Sequence, residues 1–81
     1  MPTAAAADDD FRYRSSRVVV DVIDRAKSSG MSEKDILDEL EVTAAAVVHW
    51  RKADMSVRAP TARRARRLDR RLAARTRKAR S

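Results

Sequence analysis

Wherever apolar residues gather in this chain they recur three and four positions apart, and the breaks between the groups are short. Such a sequence can fold only as short amphipathic helices packed on one another. The first group, Val18, Val19, Val22, Ile23 and Ala26, forms a stripe on a helix that Ser15 or Ser16 caps, and it stops at Ser28, Ser29 and Gly30. Gly30 is the one glycine of the chain and the natural left-handed stop. Ser32, followed three residues later by Asp35, is a capping-box-like start in which each side chain can satisfy an orphan amide, and Ile36, Leu37 and Leu40 supply the stripe of a short second helix. Thr43 caps a third, where Ala44, Ala45 and Ala46 propagate helix cheaply and Val47 and Trp50 face inward. Only Glu41 and Val42 separate Leu40 from Thr43, which forces a tight turn and a steep crossing. The apolar period lapses between Lys52 and Pro60. Pro60 and Thr61 open a fourth helix with Ala62, Ala65, Leu68 and Leu72 inward and Thr76 in register. The fold class expected is all-α, a small bundle of four helices. Residues 1–14 are expected as a disordered acidic arm on which Phe11 and Tyr13 dock loosely, and residues 73–81 as a basic tail.

The core of such a bundle must be thin. The 43% hydrophobic fraction includes fifteen alanines, and only 4% of the 81 residues are aromatic, which leaves no material for a deep substrate cleft. There is no cysteine and a single histidine, His49, so thiolate or multi-histidine metal sites are excluded. No paired carboxylates framed by a cleft, no nucleophile with a base and no phosphate-cradling glycine loop are present. The expectation is a non-enzyme with no cofactor, no metal and no small-molecule substrate. No apolar run approaches the roughly 20 residues that span a bilayer, and the first ten residues lack the basic and apolar segments of a signal peptide, so a cytoplasmic protein without membrane contact is expected.

Charge is distributed unevenly. From residue 58 onward ten arginines and one lysine oppose the lone Asp69, a balance of +10, whereas the first 57 residues hold eight basic groups against eleven acids, or −3. A mildly acidic body with a strongly basic end points to a polyanionic partner, nucleic acid first and a membrane surface second. A solvated charged helix would normally interleave acids with bases, and this one does not.

The segment SEKDILDELEVTAAAVVHW, Ser32 to Trp50, combines the apolar contacts, tight turn and outwardly free second helix that a DNA-reading helix-turn-helix needs. At these residues the chain resembles the lambda-repressor and Cro type, or Xre-like, helix-turn-helix family. The likeness continues through Trp50, the polar stretch RKADMSVRA, Pro60 and TARRARRLDRRL, covers about residues 16–72, and repeats the layout seen in small phage regulators and antitoxins of high-GC bacteria. Two positions depart: Glu41 stands where the family has a turn glycine, at a cost on the order of 1 kcal/mol, and Leu37 stands where it has a small residue.

The resemblance implies a DNA-binding domain over residues 15–72 that binds double-stranded DNA, with the third helix in the major groove. Helical geometry then names the base-reading positions as Thr43, Ala44, Ala45, Val48, His49 and Lys52. The alanines and Val48 offer apolar contact to thymine methyls, and the other three offer polar contacts. Ser32, Lys34, Arg51, Arg58, Arg63, Arg64, Arg67, Arg70 and Arg71 are expected on phosphates. A weak homodimer, a monomer held by its arginine tail, and the N-terminal part of something longer all stay open. So do duller readings: a plain helical hairpin, His49 interacting with the end of its own helix, Trp50 as core, and Asp8, Asp9 and Asp10 as a solvated arm rather than an autoinhibitory screen over the basic end. The competing functions are an RNA-binding protein that uses the arginine-rich helix and an antitoxin or protein-interaction module.

Overall fold

The computed structural model describes residues 11–80, with side chains described to Arg75. Among these residues the chain forms four helices: α1 (Ser16–Ser28), α2 (Glu33–Leu40), α3 (Ala44–Lys52) and α4 (Ala59–Arg80). Helix α1 lies at the centre and touches the other three, while α4 packs on both α1 and α2. The molecule is a plate of about 38 × 37 × 18 Å. Its core is the set of stripes that periodicity outlines: Val19, Val22, Ile23 and Ala26 from α1, Ile36 and Leu40 from α2, Val47 from α3, and Ala62, Ala65, Leu68 and Leu72 from α4.

Two of the connections are the same backbone device. At the end of α1 the Gly30 N–H donates to the Lys27 carbonyl and the Met31 N–H to the Ala26 carbonyl; at the end of α2 the Glu41 N–H donates to Asp38 and the Val42 N–H to Leu37. Both are Schellman stops, which require a left-handed residue at the pivot. Gly30 takes it at φ 105°, and Glu41 takes it at φ 55° despite its side chain. The apolar residue after each pivot, Met31 or Val42, packs partly buried against the core and closes the turn. Each stop is followed directly by a new cap: the Ser32 hydroxyl accepts the Asp35 N–H at 3.1 Å, and the Thr43 hydroxyl accepts the Ala46 N–H at 3.1 Å. The expected Ser32 and Thr43 caps are therefore present.

The cap of α1 is not the local one that its serines suggest. Ser15 occupies the N-cap position without making a side-chain cap bond. Instead, the Asp54 carboxylate, from the loop after α3, accepts the Arg17 N–H at 3.2 Å and the Ser15 hydroxyl at 2.7 Å. These donors hold the Asp54 carboxyl below its ordinary pKa, the Ser15 hydroxyl first and the Arg17 amide next. The buried Ser16 hydroxyl accepts the Met55 N–H at 2.7 Å.

Residues 11–14, expected as part of a loose arm, are anchored here. The Ser16 N–H donates to the Met55 carbonyl and the Val57 N–H to the Arg14 carbonyl, both at 2.8 Å, in an isolated antiparallel bridge centred on Ser15 and Ser56. Tyr13 and Val57 are buried in the core as a result. The arm boundary lies at least as early as Tyr13, because the backbone pairing and the phenol's burial offset the entropy of ordering the segment. The acidic cluster Asp8–Asp10 lies outside the described residues. Beyond Leu72, where a tail is expected, α4 continues without a break to Arg80.

Candidate nucleic-acid interface

Helix α3 is held by one face. Val47 is buried and Trp50 half-buried against the core, and the Arg51 guanidinium grips both Asp24 carboxylate oxygens on α1, at 2.7 and 3.3 Å. That fork lowers the Asp24 pKa and raises that of Arg51, in each case chiefly through the hydrogen bond between them. Thr43, Ala44, Ala45, Val48, His49 and Lys52, the six expected base-reading residues, are all exposed. Val48 is 52% exposed, an apolar side chain with no core to fill, on a helix whose other large apolar residues point inward. The face is thus small and weakly polar, with an imidazole and an ammonium toward its C-terminal end.

The residues expected on phosphates divide into sets. Ser32 and Lys34 are exposed at the start of α2, although the Ser32 hydroxyl also serves as its cap. Arg51 is bound to Asp24 rather than projecting from the face. Arg64 pairs with Glu41 at 2.9 Å and Arg71 pairs with Glu39, so both lean across α4 toward the carboxyl end of α2. Arg58 is exposed just before α4. Arg63, Arg67 and Arg70 project from the outer face of α4, where with Arg66 and Ala74, and with Arg71 at the edge nearer α2, they line a shallow open hollow. The structure therefore does not gather all of the expected phosphate contacts around α3.

Asp69 belongs to none of the stripes or caps in the sequence. Its carboxylate accepts the Tyr13 hydroxyl at 2.5 Å and the Arg25 guanidinium at 2.7 Å, joining the anchored arm, α1 and α4 at one point. Burial, followed by the hydrogen bond to Asp69, raises the Tyr13 phenol above its ordinary pKa of 10.0. The available signal was its being the single acid in an arginine-rich helix. Among the described residues no three histidine, aspartate or glutamate side chains gather into a metal-holding set, and no helix is long and apolar enough to cross a membrane. Comparison with protein-family models, with curated proteins and with solved structures finds no match to this chain.

Proposed function

We propose that this chain is a sequence-specific double-stranded DNA-binding transcriptional regulator that inserts α3 into the major groove. The observation that carries this reading is the outward face of α3. Thr43, Ala44, Ala45, Val48, His49 and Lys52 are exposed together on a helix anchored from behind by Val47, Trp50 and the Arg51–Asp24 fork. A helix of this kind can approach a groove without dismantling the core. Val48 and the alanines suit thymine methyls, and Thr43, His49 and Lys52 suit base edges. Ser32, Lys34 and Arg58 supply positioning contacts to the backbone, and the arginines of α4 supply long-range attraction that is steeply salt-dependent.

The test is selection from a randomised duplex pool at about 150 mM salt, where non-specific attraction is partly screened. An enriched motif is expected, and a palindromic one would add a symmetric dimer to the reading. Absence of any enriched motif, or tighter binding of structured RNA at matched salt, overturns it.

A further inference from the structure

We propose that the outer face of α4 is a second, separate nucleic-acid surface that takes the phosphate backbone of another duplex segment, so that one chain bridges two segments. The proposal rests on the α3 reading above and adds a second face to it. It begins from position. The Arg51 fork fastens α3 to Asp24, while Arg25, the next residue along α1, is fastened to Asp69 of α4. Neighbouring residues of a helix point about 100° apart, so α3 and α4 meet α1 from different sides. Each presents its apolar stripe to the core, Val47 and Trp50 from α3 and Leu68 and Leu72 from α4. Their polar backs consequently diverge.

On the back of α4, Arg63, Arg67 and Arg70 stand about 100–180° around the helix from Leu68 and Leu72 and cover about 10 Å of its axis. Phosphates recur every 3.4 Å or so of duplex axis on each strand and lie farther apart along the strand itself, so Arg63 and Arg67, about 6 Å apart along the helix, suit two successive phosphates of one backbone. Two features mark the face as unlike the rest of the molecule. Several acids meet other arginines: Glu41 takes Arg64, Glu39 takes Arg71, Asp24 takes Arg51, and Asp69 of α4 itself takes Arg25. Arg63 and Arg67 make no ion pair with a described residue. The hollow that they line with Arg66, Arg70 and Arg71 is shallow and open, fitted to an extended backbone rather than to an enclosed small ligand. Charge without base-reading groups favours a phosphate backbone of any sequence.

The experiment uses the full chain, one duplex immobilised and a second, fluorescent duplex of unrelated sequence in solution. Wild type should capture the second duplex, with sedimentation giving two duplexes per single chain. Arg63→Ala/Arg67→Ala should abolish capture while the immobilised duplex stays bound, and the logarithmic salt slope for a non-operator duplex should flatten by about 2, near 0.9 per lost phosphate contact. Both arginines are exposed, so circular dichroism should show the fold unchanged. Capture that survives this variant, two duplexes per pair of chains, or a stripe that holds an acidic peptide but no duplex overturns the proposal. Failure of the α3 reading appears separately: Val48→Glu/Lys52→Glu would then leave sequence preference and single-duplex binding untouched.

Discussion

Replacing Asp69 with alanine tests whether a single carboxylate ties the anchored arm to the bundle. The side chain of Asp69 is only 14% exposed and accepts two hydrogen bonds, one from the buried Tyr13 hydroxyl and one from Arg25. Removing it leaves the phenol without its partner, which costs about 1–3 kcal/mol. The Arg25 contact adds about 0–1 kcal/mol, because Arg25 is 46% exposed and keeps Asp21 at 3.2 Å. The expected loss is about 2 kcal/mol, or roughly 10 °C in midpoint for a domain of this size, measured by thermal and urea unfolding followed by circular dichroism. Taking an acid out of an arginine-rich helix also raises repulsion among the arginines, so the cycle with Tyr13→Phe is the discriminating measurement. Phenylalanine removes the orphaned hydroxyl. The double variant should therefore lose less than the sum of the single losses, by about 1 kcal/mol. Additive losses, or an Asp69→Ala variant within about 0.5 kcal/mol of wild type, the range of an ordinary surface substitution, would refute the linkage.

Three further outcomes follow from named contacts. Tyr13 is the only tyrosine, so phenolate absorbance reports it alone. Its folded pKa is raised above 10.0, so its contribution to stability is present below that pH and is lost as pH rises through the folded value; Tyr13→Phe should remove that alkaline component from a stability-against-pH curve. Glu41→Gly relieves about 1 kcal/mol of left-handed strain but gives up an exposed pair with Arg64 and gains unfolded-state entropy, so it should stay within about 1 kcal/mol of wild type. Glu41→Val should be clearly less stable in the same urea titration, and equal stability of the two variants would deny the pivot its role. His49→Ala and Lys52→Ala should change the ranking of duplex sequences in competition binding; a uniform weakening across all sequences would make them phosphate contacts instead.

The helices, their order and the caps at Ser32 and Thr43 were legible because each is a local event: an oxygen three residues ahead of an amide, or apolar residues at a fixed period. The two residues between the helices implied only a tight turn; the left-handed pivot at Glu41 was implied by the resemblance, which puts a glycine there. The exposed face of α3 follows from the same periodicity. What sequence spacing could not convey were contacts between distant positions that have no pattern of their own. Asp54 reaches back 37 positions to the Arg17 amide, and Tyr13 reaches 56 positions to Asp69. Neither residue belongs to a stripe. Residues 11–14 looked like arm because their anchoring comes from strand-like pairing with residues 55–57, a segment equally without period.

The same distinction governs how the charge should be understood. A formal +7 suggests a molecule coated in cation, yet several acids are matched in space with particular arginines. Glu39 and Glu41 face α4, Asp24 faces α3, and Asp69 returns the relation from α4 to α1. Apart from Asp69, whose side chain is mostly buried, these are exposed or half-exposed pairs, so each adds little to stability. Their effect is on where potential is left over. Arg51, Arg64 and Arg71 are drawn toward the body, and the surplus is displaced to the back of α4, away from the face of α3. Neutralising Glu39 and Glu41 together should therefore release cation beside α3 and steepen the salt dependence of single-duplex binding, with little change in unfolding midpoint. A large loss of stability with an unchanged salt slope would mean that those pairs hold the fold together rather than shape its field.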